Sequence, residues 1–153
     1  MNEKPFVLPG LPDFLSVTKA ANQSIASGTV PILLTLDTPL TPAQGVNWNP
    51  AGNSIVIARR GLYNIGTAVR FTAHATGQRQ VCVAVNGANT YFDYRGAAVV
   101  GFTHEMHSMF FSQVLNPGDA LTLLAAQNSG VANIVLAVAG LLPRLSVQLV
   151  RPV

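Results

Sequence analysis

A chain of 153 residues is the length of one domain, and a domain of that size buries roughly 68–70% of its unfolded surface, so its core needs no disulfide. Charge is scarce: Asp, Glu, Lys and Arg make up 10% of the residues against the ~25% usual in soluble domains, while 49% are hydrophobic. That leaves too few charges to coat an isolated monomer and predicts an oligomer, and the net charge of +3, spread out with Arg59-Arg60 as its one adjacent basic pair, disfavours nucleic-acid binding.

The amino terminus, Met1-Asn2-Glu3-Lys4-Pro5-Phe6-Val7-Leu8-Pro9, has no uninterrupted apolar segment of the kind a secretory signal requires, which predicts cytosolic synthesis. Pro5, Pro9 and Pro12 interleave with Phe6, Val7, Leu8, Leu11, Phe14 and Leu15, a pattern that suits neither a regular helix nor a central strand. Residues 1–22 are therefore expected to form an extended arm, with the remainder, 23–153, as the globular domain. Apolar side chains on an arm are costly in water, so Pro5, Phe6, Val7, Leu8, Leu11, Phe14 and Leu15 are expected to dock on a carrier protein or a neighbouring subunit. The alternative is that the arm folds back over its own barrel.

Beyond the arm the apolar residues follow period two. Ile32, Leu34 and Leu36 share the first face, a loop rich in proline and glycine follows, and residues 54–58 make a second short run. Tyr63, Ile65, Thr67, Val69 and Phe71 then alternate with Asn64, Gly66, Ala68 and Arg70, the cleanest strand signal in the chain. Val81, Val83 and Val85 continue the inward face, with Cys82 among them as a small buried hydrophobe rather than a reactive thiol. Asn86-Gly87 is the dipeptide of a two-residue hairpin turn. Tyr91, Phe92, Tyr94 and Arg95 follow it, either as a loop tip presenting rings for recognition of a host-surface receptor or glycan, or as filling for a subunit interface.

Residues 97–115 are long enough for one strand with an irregularity at Gly101. Asn116-Pro117-Gly118-Asp119 is a tight turn, and Leu121, Leu123 and Ala125, then Ile134, Leu136 and Val138, then Leu145, Val147 and Leu149 make the last runs. Ile134 to Leu142, the longest uncharged apolar stretch, is far short of the ~20 residues that span a bilayer, so no membrane span is expected. Eight to ten short strands with no helical periodicity predict an all-β, antiparallel two-sheet jelly-roll sandwich.

Little in the chain points to chemistry. His104 and His107 are the one cluster of potential ligands, but positions three apart on a strand face opposite ways and do not converge on one metal. One histidine is expected at a subunit contact and the other in solvent, either able to titrate near neutral pH. Ser108 or Ser112 with these histidines and Asp93 supplies the residue types of a hydrolytic triad without its strand-turn-helix context. No catalytic residue, cofactor or metal is expected, and the protein is read as a non-enzyme.

Gly61-Leu62-Tyr63 leading into a long alternating strand, Val83-Ala84-Val85-Asn86-Gly87, Leu115-Asn116-Pro117-Gly118-Asp119-Ala120-Leu121 and Leu145-Ser146-Val147-Gln148-Leu149-Val150 together resemble the tumour-necrosis-factor-like jelly roll. Within that superfamily the pattern is most similar to the globular heads of the first complement component. The resemblance spans residues 25–150 and implies a compact homotrimer around an aromatic and aliphatic axis, with Tyr63, Phe102 and Phe110 in the trimer interface. Animal members carry a signal peptide and a collagen-like stalk, and this sequence shows neither. Bacteriophage versions of the fold, by contrast, serve on virions, so the expected role is a capsid decoration protein on the virion surface, bound to the major capsid or another virion protein. The alternative is a receptor- or carbohydrate-binding trimer on a phage tail.

Overall fold

The computed structural model describes residues 13–40, 45–96 and 104–153. Among these residues there are thirteen strands and no helix. They are β1 (Phe14–Thr18), β2 (Gln23–Ile25), β3 (Gly28–Leu33), β4 (Thr38–Pro39), β5 (Val46–Asn49), β6 (Ser54–Ile57), β7 (Gly61–Thr72), β8 (Arg79–Val85), β9 (Ala88–Arg95), β10 (His104–Leu115), β11 (Ala120–Gln127), β12 (Asn133–Val135) and β13 (Arg144–Pro152). One sheet runs β2-β12-β7-β13-β1-β4, with β10 also paired to β7; the other runs β5-β6-β11-β8-β9, with β3 also paired to β11. The ladders are antiparallel, so the expected two-sheet, all-β jelly roll is the fold observed.

The alternation of β7 is what fixes the first sheet. Tyr63, Ile65, Val69 and Phe71 face inward and are essentially inaccessible, while Leu62, Asn64, Gly66, Ala68 and Arg70 face out and are half-buried. Leu145 and Val147 of β13 and Leu15 and Val17 of β1 extend that inner face. Ile55, Ile57, Val81, Val83, Leu121 and Leu123 supply the other side of the core. Each such side chain contributes roughly 1.5–3 kcal/mol on burial.

Two turns close the same end of the sandwich. Asn86 and Gly87 both have positive φ, 52° and 78°, as a two-residue hairpin between β8 and β9 requires. Asp119 N–H donates to the carbonyl of Asn116 at 3.1 Å, and Asn116 N–H donates to Asp119 Oδ2 at 2.7 Å. The side chains then join the two turns, since Asn86 Nδ2 donates to Asp119 Oδ1 at 2.8 Å and Ala120 N–H donates to Asn86 Oδ1 at 2.9 Å.

Four expectations change. Phe14 and Leu15 are not part of an arm: β1 lies between β13 and β4 in the first sheet, with Leu15 wholly inside the core, because Leu15 and Val17 are themselves an alternating pair that the prolines before them obscure. Pro5, Phe6, Val7, Leu8 and Leu11 lie outside the described residues. Ile32 does not share a face with Leu34 and Leu36; it is 40% exposed while they are buried. The strand ends at Leu33, and Asn53 then holds the next segment by accepting from Leu36 N–H at 3.0 Å and donating to the carbonyl of Leu34 at 2.7 Å.

The last two changes concern β12 and β9. In β12 the inward residues are Asn133 and Val135, with Ile134 outward, one place off the expected run. A one-residue offset flips every side chain to the other face, and the buried Asn133 Oδ1 accepts from the Thr72 hydroxyl of β7 and from Ile134 N–H. Tyr91 to Arg95 form not a loop tip but most of β9, the edge strand, in register with β8 from Arg79 to Val83.

Candidate functional site

Outward residues of β7, β10 and β13 make a broad face with very little charge. Asn64, Gly66, Ala68, Ser108, Phe110, Ser112, Val114, Ser146 and Gln148 lie on it, and among the described residues of these three strands its charges are Arg70, Arg144 and, opposite Leu62 after the bulge in β13, Arg151. Phe110 stands at its centre with 74% of its surface exposed. It pairs in register with Gly66, and its ring comes within 3.7 Å of where a Cβ at that position would be. A methyl group at Gly66 would thus meet the ring at ordinary contact distance. A shallow depression of about 330 Å³ beside it is lined by Phe14, Asn64, Phe110 and Gln148, and a second of about 400 Å³ on the same face by Leu40, Ala68, Met106, Ser108 and Leu141.

Of the residues expected at a subunit interface, Phe110 is therefore on an open face. Tyr63 is not: it is fully buried in its own sandwich, and its hydroxyl donates to the carbonyl of Arg59 at 2.8 Å. Its place on the inward side of β7 excludes it from any contact with a second chain. Phe102 lies outside the described residues.

A polar cluster bridges the two sheets. Arg79, at the start of β8, is completely buried and donates through its two terminal nitrogens to the carbonyls of Thr76 and His74, both at 2.8 Å. Its Nε lies 3.6 Å from Glu105 Oε2 on β10. His107, also completely buried, has Nδ1 3.1 Å from Asp93 Oδ2 on β9 and Nε2 3.8 Å from Glu105 Oε1. The edge of the His107 ring meets Phe71 with centroids 5.3 Å apart.

Burial holds His107 down to about 4; Asp93 pulls the other way, while Arg95 and Arg79 add to the depression. Burial raises the Glu105 carboxyl, against Arg79 and Arg95. His107 is thus an internal packing residue, correcting the expectation of a histidine at a subunit contact that titrates near neutrality. Ser108 and Ser112 project from the opposite side of β10, so the strand separates them from His107 and Asp93 and no triad assembles. Among the described residues no group of three or more His, Cys, Asp or Glu side chains has an arrangement able to hold a metal ion.

The cluster has a testable pH signature. A folded pKa below the unfolded 6.5 means that the native state binds fewer protons, so the His107 contribution is complete above 6.5 and is lost as pH falls through about 4. Glu105, with its pKa raised, acts in the opposite sense, gaining as it protonates. His107→Gln removes the first effect alone, so melting temperatures followed from neutral pH to about 4 should fall less in the variant than in the parent. Parallel curves would show that His107 does not set the acid limb.

The edge strand β9 has two unlike faces. Inward, Tyr91 stacks on Phe111 of β10 with ring centroids 3.6 Å apart, and Asp93 meets the polar cluster. Outward, Phe92 and Tyr94 stack on each other at 5.6 Å and are 42% and 60% exposed. Arg95 pairs with Asp93 at 3.3 Å. Only Phe92 and Tyr94 of the expected recognition rings are thus presented to solvent. Cys82, opposite Phe92 in register, is fully buried, and burial pushes its thiol up to about 11, so it is not a reactive group.

These features belong to an antiparallel two-sheet jelly-roll sandwich. The structure of Eiger TNF from S. frugiperda superposes with a TM-score of 0.66 at 9% sequence identity, covering 94% of this chain and 96% of that one. The shared feature is the fold. No family model and no curated protein matches the sequence.

Proposed function

We propose that this chain is a non-enzymatic virion structural protein: a homotrimeric jelly roll that decorates a bacteriophage head, synthesised in the host cytoplasm and attached to the major capsid or another virion protein by the segment that precedes β1. The observation that carries the reading is the face built by β7, β10 and β13. A charge-poor face, its few charges all arginines, with an aromatic ring standing 74% free at its centre is chemistry suited to burial against further copies of itself. The resemblance of the turn motifs to the heads of the first complement component, and of the small, charge-poor chain to phage forms of the fold, supports the trimer and the virion setting. Three copies would bring three Phe110 rings together, and the apolar residues Phe6, Val7, Leu8 and Leu11 would be left to engage the shell.

The position of β1 decides how attachment is tested. Removing residues 1–12 leaves β1 intact and is expected to give a soluble trimer that no longer co-sediments with particles. Removing residues 1–22 deletes β1 with Leu15 and Val17, each contributing roughly 1.5–3 kcal/mol to a total of about 5–15, and should yield misfolded protein. A protein lacking residues 1–12 that still decorates particles would overturn docking by the arm.

A second reading has one observation in its favour. Phe92 and Tyr94, stacked and exposed on the outer side of β9, form an aromatic surface suited to a host-surface receptor or glycan, as on a phage tail protein.

A further inference from the structure

We infer that the outer face of the second sheet carries a binding groove for a neutral carbohydrate, built across β9, β8, β11 and β3. The inference rests on the glycan-binding reading and is independent of where a particle carries the protein. Tyr94 forms one wall, its ring 60% exposed and held in orientation by the stack with Phe92. Gln80 lies directly opposite Tyr94 in the β8–β9 ladder, and Ala126 opposite Gln80 in the β8–β11 ladder, so the three stand side by side on one surface. Gly28 and Thr29 bound the far side, and the groove measures about 240 Å³.

Its chemistry is selective. No residue lining it carries a charge: apart from Gly28 and Ala126 it is bounded by a phenol, a hydroxyl and the amides of Gln78, Gln80, Gln127 and Asn128. Gln127 is committed internally, to the carbonyls of Ile25 and Val131 and to Ser129. Gln80 is not. Although the residue is only 9% exposed, its amide opens on the groove and makes no hydrogen bond to any described residue, so its donors and acceptor are free for a ligand there.

An amide free of internal partners, opening on a groove beside an exposed ring, is suited to a pyranose. The apolar face of the sugar stacks on the aromatic ring while its hydroxyls, each both donor and acceptor, pair with a primary amide. A phosphate, sulfate or carboxylate would find no cation in the lining, so charged glycans are excluded by the same composition. The volume is below the ~300–1,000 Å³ of enclosing pockets and fits one unit of an extended chain lying across the sheet.

The test is an array of neutral oligosaccharides built from glucose, galactose, mannose, rhamnose and N-acetylglucosamine, with sialylated and sulfated glycans for comparison. The full-length protein should retain one or more neutral glycans. Tyr94→Ala should weaken that binding about tenfold, the size of a lost stacking contact, and Tyr94→Phe should preserve it. Gly28→Trp should abolish it by filling the groove, since no atom lies within 4 Å of a Cβ there and its backbone is not in the left-handed region. Failure to bind any neutral glycan, preference for charged ones, or binding unchanged in both Tyr94→Ala and Gly28→Trp overturns the inference. Host-cell binding that survives both substitutions also overturns it, while leaving a receptor-binding role elsewhere on the protein intact.

Discussion

Phe110→Asp is expected to turn a trimer into monomers without unfolding the chain. The side chain is 74% exposed, so a polar replacement costs the folded monomer no more than ~0.5 kcal/mol, the usual range for surface changes. In the proposed trimer the same side chain is covered three times over. Losing roughly 1.5–3 kcal/mol of burial at each copy, and placing three carboxylates close together, should weaken association by about a thousandfold or more. Light scattering on eluting protein reads the mass, and a thermal melt of the same sample reads folding. Val30→Asp is the matched control, since Val30 is 78% exposed but belongs to β3 of the other sheet. A monomer from Phe110→Asp with an unchanged parent mass for Val30→Asp locates the interface. The same mass for both variants as for the parent would remove the face from any role in assembly.

Arg79→Ala should be the most damaging single change to stability. Arg79 is fully buried and satisfies the carbonyls of His74 and Thr76 while its Nε faces Glu105 across the sheets. Truncation would orphan two acceptors and leave a largely buried carboxyl without its main cation, a loss of about 3–5 kcal/mol by comparison with other broken buried pairs. For a domain of this length that corresponds to a fall of at least ~6 °C in melting temperature. Glu105→Gln should cost much less, because it removes a raised-pKa carboxyl and keeps the packing. Urea denaturation of the two variants separates the cases, and equal losses would show that the ion pair with Glu105, not the hydrogen bonds to the two carbonyls, is what Arg79 supplies.

How much of this was legible in the sequence varied from element to element. The alternation from Tyr63 to Phe71 and the turns at Asn86-Gly87 and Asn116-Pro117-Gly118-Asp119 mapped directly onto β7, the β8–β9 hairpin and the β10–β11 connection, because period and turn chemistry are local properties. Leu15 was hidden because the prolines before it masked a five-residue strand whose partner, β13, lies at the other end of the chain. The offset in β12 was unreadable because a buried asparagine, not an apolar residue, occupies its first inward position.

The site was less legible still. Tyr63 and Phe110 look equally aromatic in sequence, and only parity along β7 and β10 sends one into the core and leaves the other on the face. Arg79 sits between two glutamines, a window with no signal for a buried side chain; the approach of β10 makes that arginine a cross-sheet tie. The groove around Gln80 and Tyr94 draws on four strands, and no window of sequence contains it.

The functional proposal depends first on three copies meeting through the face around Phe110. Sedimentation equilibrium of the purified full-length chain tests that directly. The account predicts a single species of three times the 16.1 kDa chain mass that persists at micromolar concentration. A species of 16.1 kDa throughout that range would contradict it.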